Sequence, residues 1–123
     1  MTEKEQFILE LKKRTKQFAV DSIKFAESLR KCKSSDIITY QFVKSATSTA
    51  VNYRAACKAR SKADFFSKIC IVVEEIDESE YWLEIINETA LSNNNEELIR
   101  LLKETNEITR IMSKAKDSSY NRN

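Results

Sequence analysis

The sequence predicts an all-α protein, an antiparallel up-down-up-down four-helix bundle over residues 1–117. Three observations indicate it. The 123 residues include no glycine and no proline, the residues that build the tight turns of hairpin-rich sheets. Charged residues make up 33% of the chain, as is typical of long amphipathic helices. Four segments repeat apolar residues at helical spacing, and the short breaks between them favour antiparallel neighbours.

Helix 1 is predicted at residues 3–33, where Thr2 and Glu5 have the spacing of a capping box. One apolar seam, widened by Phe7 and Ile23, consists of Ile8, Leu11, Thr15, Phe18, Ser22, Phe25 and Leu29. The densest positive cluster of the chain is Lys12, Lys13, Arg14 and Lys16. It is either a phosphate-binding surface or an ordinary solvated helix face, and we favour the solvated face.

Helix 2 is predicted at residues 37–59, with Ser34, Ser35 and Asp36 as candidate N-caps. Its seam consists of Val43, Ala46, Ala50, Tyr53 and Cys57, with Phe42, Thr49 and Ala56 beside it. Residues 45–50 contain no bulky side chain. This run predicts a close helix crossing; hydroxyl groups lining a pocket or pore are the alternative.

Helix 3 is predicted at residues 62–91, with Ser61 and Asp64 as a variant capping box. It has the strongest periodic seam, which consists of Phe65, Ile69, Val72, Ile76, Ser79, Leu83, Ile86 and Ala90. Residues 69–73 are apolar around the whole helix. With Phe66, Tyr81 and Ile85, this surplus apolar surface favours a second interface, most simply in a homo-oligomer. A core helix wrapped by helix 1 is the alternative.

Helix 4 is predicted at residues 95–116, with Asn94 as its cap and Glu97 as the N3 partner. Leu98, Leu101, Thr105, Ile108 and Met112 supply its seam. Residues 118–123 are polar and aperiodic, and are predicted to form a flexible tail.

Composition excludes several kinds of chemistry. The chain has no histidine, which removes the commonest general base, the usual zinc ligand and the Glu-x-x-His motif of di-iron bundles. A glycine-rich phosphate loop cannot be formed without glycine. Carboxylates concentrate only at Glu74, Glu75, Asp77, Glu78 and Glu80, where a solvated or ion-paired face is favoured over a metal or acid–base site. We therefore expect a protein that is not an enzyme and has no metal or cofactor.

The charge is unevenly divided along the chain. The net charge is +2, but residues 1–62 carry +8 and residues 63–123 carry −6. Either the basic half binds an anionic partner or the halves neutralise each other, and we favour neutralisation. Three widely spaced cysteines without a CxxC motif indicate a reducing compartment. With no targeting or membrane-spanning segment, we expect a cytoplasmic protein without a membrane partner.

An antiparallel hairpin of helices 2 and 3 around Ser61 also predicts a register. Residue numbers at equal height sum to about 122, within one turn. Lys44 then lies level with Glu78 and one turn from Glu75, and the sequence predicts that Lys44 pairs with one of them.

The same two helices carry a motif in a fixed order. It consists of Gln41, Lys44, Ser48, Asn52, Tyr53, Ser61, Asp64, Phe65, Lys68, Glu75, Glu78, Tyr81 and Trp82. The pattern resembles the four-helix-bundle proteins encoded in bacterial 23S rRNA intervening sequences. Three positions depart from it: Lys44 stands where Arg is usual, Ala46 where Gly is common, and Ala55 where Glu often follows. Lysine keeps the charge at position 44 but not the bidentate geometry of arginine.

The resemblance implies a homopentamer around a central channel. It also implies kinship with accessory proteins of diversity-generating retroelements, which bind nucleic acid and a reverse transcriptase. The leading functional hypothesis is a non-enzymatic oligomer that binds RNA or DNA backbone through basic surfaces. Its candidate residues are Lys12, Lys13, Arg14, Lys16, Arg54, Lys58, Arg60 and Lys62. A protein-interaction scaffold that recruits a partner enzyme is the alternative, and a small enzyme ranks last.

Overall fold

The computed structural model describes residues 1–120, and within them it confirms the all-α, four-helix prediction. The helices are α1 (Glu3–Glu27), α2 (Lys33–Ala56), α3 (Lys62–Glu88) and α4 (Asn95–Ser119). Each helix packs on the next in sequence, and α4 returns to α1, where contact is least extensive. Arg14 reaches Glu104 and Glu107, whereas Asp21, farther along α1, reaches the earlier Arg100. The numbers run in opposite directions, so α1 and α4 are antiparallel.

The predicted N-caps are present on three helices. Thr2 Oγ1 accepts from the Glu5 N–H at 3.1 Å, and Glu5 Oε1 accepts from the Thr2 N–H at 2.8 Å. Ser61 Oγ accepts from the Asp64 N–H at 3.0 Å. Asn94 Oδ1 accepts from the Glu97 N–H at 3.1 Å. Each side chain satisfies a backbone donor that has no partner inside its helix.

The boundary between α1 and α2 was predicted wrongly. Helix α1 ends at Glu27 rather than near residue 33, and α2 begins at Lys33 rather than near residue 37. The extended residue Cys32 is the N-cap, and Ser35 Oγ accepts from its N–H at 2.9 Å. Because Ser35 makes this bond from inside the first turn, the polar run from Ser34 to Asp36 starts the helix rather than preceding it.

Three other predicted ends differ. Helix α2 stops at Ala56 instead of residue 59, and α3 stops at Glu88 instead of residue 91. Helix α4 continues to Ser119, past the predicted start of the flexible tail. The Tyr120 ring packs on Phe66 with centroids 5.4 Å apart, a contact that residue-by-residue polarity does not reveal. The rest of the predicted tail, residues 121–123, lies outside the described residues.

The core follows the predicted seams, except that the buried stripe of α2 is rotated about the helix axis. The α3 seam is fully buried from Ile69 to Ile86. In α2, Phe42 is fully buried while Val43 is only half-buried, so the buried stripe is turned by about one residue. Phe7, Ile23 and Ala90, predicted to join seams, are exposed. No helix within residues 1–120 has the length and apolar character needed to cross a membrane.

The small-residue run of α2 lies at a close crossing with α3. Ser45 and Ser79 are both fully buried, and the Ser79 hydroxyl donates to Ser45 Oγ at 2.9 Å. Thr49 is buried as well and donates to the carbonyl of Ser45 at 2.8 Å. The hydroxyls are thus satisfied inside the bundle, as a close crossing requires. The Ser45–Ser79 pair also confirms the predicted register within one turn.

Candidate functional site

One end of the bundle combines an apolar groove with a cationic rim, and we call it the basic end. The start of α1, the end of α2, the start of α3 and the end of α4 meet there, with a groove of about 1070 Å³ between them. Its floor is formed mainly by Phe7, Ile8, Leu11, Tyr53, Ala56, Cys57, Phe65, Ile111 and Ala115. Among the described residues, the charged side chains that line it are all cations: Lys4, Arg60, Lys62 and Lys114.

The second predicted basic cluster lies at this end. Arg54, Lys58, Arg60 and Lys62 are all exposed, and the last two line the groove. Within residues 1–120, none of the four takes part in a salt bridge. Their charges therefore remain available to a ligand.

The first predicted basic cluster is not one surface. Arg14 is held by α4: its Nε and Nη2 donate to Glu104 at 2.7 Å each, and Nη2 also reaches Glu107 at 2.7 Å. Lys13 and Arg14 line a smaller crevice of about 350 Å³ between α1 and α4. Lys12 is half-buried on another side of α1, and Lys16 is exposed.

The pKa shifts of Arg14 and Glu107 reflect the ion pairs that Arg14 forms within the bundle. The hydrogen bonds that Arg14 donates to Glu104 are the main cause that raises the pKa of Arg14 above its ordinary value. The hydrogen bond from Arg14 in turn lowers the pKa of Glu107. A guanidinium that already binds two carboxylates is a poor phosphate ligand, so we separate Arg14 from the other candidate cations.

The polar groups in the groove floor are not activated for chemistry. Tyr53 and Cys57 lie one helical turn apart, and both line the groove floor. Burial raises the pKa of the Tyr53 hydroxyl, with a smaller contribution from Cys57. Burial likewise raises the pKa of the Cys57 thiol, against the influence of Tyr53 and Lys12. Both groups stay protonated near neutral pH, so neither is a ready nucleophile.

The predicted ion pair of Lys44 was wrong. Lys44 is exposed, its ammonium lies 6.0 Å from the centre of the Tyr40 ring, and it forms no salt bridge within residues 1–120. Glu78 instead accepts from Trp82 Nε1 at 3.1 Å, one turn along its own helix. The register was right, but this local bond and the ring of Tyr40 provide nearer partners.

The other motif residues have structural contacts. Asn52 Nδ2 donates to the Ser48 carbonyl at 2.9 Å and to Ser48 Oγ at 3.0 Å. Asp64 Oδ1 lies 3.5 Å from Lys68 Nζ. The remaining members lie on both helices: Gln41, Phe65, Glu75 and Trp82 are half-buried, and Tyr81 is exposed with its ring 5.0 Å from that of Trp82. These contacts lie within single helices, and they do not assemble a reactive constellation.

The acidic stretch of α3 also lacks the geometry of a site. Glu74 and Asp77 are exposed, while Glu80 is half-buried. Desolvation is the main cause that raises the pKa of Glu80, followed by the charge of Glu84. In the part of the chain that the structure describes, no group of three or more His, Cys, Asp or Glu side chains could hold a metal ion.

The sequence did not indicate three members of the basic end. Lys4, Phe7 and Lys114 lie near opposite ends of the chain and belong to no motif. They meet only because α1 and α4 are antiparallel. The signal for them is the register of an antiparallel α1–α4 pair, which places the start of α1 beside the end of α4.

Comparison with known proteins identifies the family. The model of the 23S rRNA-intervening sequence protein family matches residues 8–114. The crystal structure of a protein of unknown function from the S23 ribosomal protein family of Bacteroides thetaiotaomicron is similar, with 28% sequence identity and a TM-score of 0.77. The match covers 85% of this chain and 96% of that one. A search of curated proteins gave no match. With the helices and motif described above, these matches show that the chain belongs to the 23S rRNA-intervening sequence protein family.

Proposed function

We propose that this protein is a non-enzymatic, cytoplasmic homo-oligomer that binds the RNA or DNA backbone through its basic end. One observation carries the proposal: cations from separate segments meet around a groove whose lining, among residues 1–120, contains no carboxylate. When lysine and arginine side chains contact the phosphates, they displace the counterions condensed on the nucleic acid. The release of these counterions drives binding that does not depend on sequence. Oligomerisation would repeat the basic end in every subunit and raise the local potential.

The protonated side chains of the groove floor support a binding role over catalysis. The Tyr53 and Cys57 side chains in the groove floor have raised pKa values, and the chain contains no histidine. All three cysteines are free, which supports a reducing compartment such as the cytoplasm.

The test is a titration of labelled RNA and DNA at two salt concentrations. Binding should weaken steeply as salt rises, because each phosphate contact releases counterions. The triple variant Lys58→Ala, Arg60→Ala, Lys62→Ala should bind at least about ten-fold more weakly. The slope of log affinity against log salt concentration should become shallower by roughly 2 to 3, because up to three phosphate contacts are lost. Binding that is absent at low salt would overturn the proposal.

A matched control separates the basic end from charge in general. Lys24, Arg30 and Lys33 are exposed at the opposite end of the bundle. Changing all three to Ala removes the same charge and should leave affinity within about three-fold, since these cations lie away from the proposed contacts. If both triple variants lost affinity equally, the basic end would not be the binding surface.

Exposed apolar side chains favour a second candidate function, a protein-interaction scaffold that recruits a partner enzyme. Ile37, Tyr40 and Val51 of α2 and Ile71 and Tyr81 of α3 are exposed, and surfaces of this kind mark interaction sites. A protein partner that co-purifies and persists after nuclease treatment would favour the scaffold. Loss of every partner with nuclease would favour nucleic-acid binding.

A further inference from the structure

We propose that the groove at the basic end takes the unpaired bases of a single-stranded nucleic acid, so that the protein prefers single strands to duplexes. This inference rests on the proposed function for the phosphate contacts and adds the class of strand. The basis is that the groove has two chemically different parts, an apolar aromatic floor and a cationic rim, and a phosphate backbone alone would use only the rim.

The floor offers ring surface to a ligand. Phe7 lines the groove and is 54% exposed, and Phe65, which lines the same groove, is half-buried. Tyr53 adds a third ring at the bottom of the same groove. Every nucleobase has an apolar face, so stacking on such rings tolerates any sequence.

The rim fits a polyanion. Lys4 comes from α1, Arg60 and Lys62 from the α2–α3 connection and the start of α3, and Lys114 from α4. Cations on separate sides of an apolar floor can contact successive phosphates while bases enter between them. An amphiphile with a single anionic head would use one of these cations and leave the others without a role.

A duplex cannot use the floor in this way. Its bases are stacked inside and its phosphates lie outside, so only the rim would make contact. The open groove within residues 1–120 therefore adds affinity for single strands alone.

The test compares a single-stranded oligoadenylate of about ten nucleotides, within the usual site size, with a duplex of the same length at low salt. The probes are titrated against the protein and the variants Phe7→Leu and Phe7→Trp. Leucine keeps an apolar contact without a ring, and should weaken single-strand binding roughly 5- to 30-fold, as for the loss of about one stacked base. Tryptophan should restore it. Duplex affinity should change less than about two-fold in both variants.

Tyr40→Leu is the matched control, because Tyr40 is also an exposed aromatic, at 63%, but lies in the first half of α2, away from the basic end. It should leave both affinities unchanged. Circular dichroism verifies that each variant is folded.

The outcomes separate this inference from the proposed function. If single strands and duplexes bind equally and Phe7→Leu binds both normally, the groove does not take bases, while backbone binding stands. Competition by polyglutamate as effective as that by oligoadenylate would also overturn the inference, because the groove would then serve any acidic polymer. If neither nucleic acid binds, both proposals fail.

Discussion

At the scale of single residues, the end of α3 contains a conformation that is unfavourable for its side chain. Ala90 has φ 54°, and no other residue from 1 to 120 adopts a positive φ. The Leu91 N–H donates to the Ile86 carbonyl at 3.2 Å and the Ala90 N–H to the Asn87 carbonyl at 3.3 Å. These are the two bonds of a Schellman motif, with buried Leu91 as its apolar contact. Glycine usually occupies this position because a Cβ disfavours the left-handed region.

Ala90→Gly should therefore stabilise the protein. The free energy gained by relieving the left-handed strain exceeds the entropic cost of the extra flexibility that glycine gives the unfolded chain. We expect the free energy of unfolding to increase by about 0.5–1 kcal/mol. Urea unfolding at fixed protein concentration measures it. Ala63→Gly, at an exposed helical position of α3, is the control and should lose stability by about 0.5–1 kcal/mol. A loss in both variants would show that Ala90 is unstrained.

At the scale of helices, α1 and α4 form the least extensive contact of the four neighbouring pairs. Polar bridges join their outer faces: Arg14 binds Glu104 and Glu107, and Arg100 binds Asp21 at 2.8 Å. The Arg14 side chain is 34% exposed and Glu104 is 21% exposed. The bridge therefore lies at the edge of the core, where solvent screens it only in part.

Arg14→Met should loosen this pair of helices. Methionine keeps the apolar stem but removes the bidentate bonds, so we expect a loss of about 1 kcal/mol in the free energy of unfolding. The loss should shrink in high salt because the bridge is partly exposed. Lys16→Met, an exposed change on the same helix, should alter stability by less than about 0.5 kcal/mol. Equal effects of the two changes would mean that the bridge adds nothing.

The helices also show how far sequence periodicity predicts structure. Side-chain caps such as Ser61 and the α3 seam depend on local spacing, and both were predicted. The α2 seam was not fixed in the same way, because alanines and serines surround it and two adjacent stripes fit one period. Burial of the large Phe42 ring, edge-on to Phe25 at 6.5 Å, selects one stripe. The groove could not be predicted from motifs, since its residues come from four segments that only tertiary packing joins.

At the scale of the whole molecule, neutralisation between the two halves of the chain is only partial. The Arg14 bridges join the basic half to the acidic half. The rim cations Arg60 and Lys62 have no such bridge within residues 1–120. Opposite charges thus remain on different surfaces, and exposed apolar residues accompany the acidic α3. Such a distribution favours association with a complementary surface.

We therefore expect self-association through the exposed face of α3. Native mass measurement, with and without nuclease, should give a multiple of the 14.3 kDa chain, and the family resemblance implies five copies. Ile71 is 37% exposed on α3 and Ile99 is 54% exposed on α4. Ile71→Asp would bury a carboxylate in the subunit interface, which is costly without a partner, and should yield smaller species. Ile99→Asp should not. A monomeric mass for the unaltered protein, or equal dissociation by both changes, would exclude this interface.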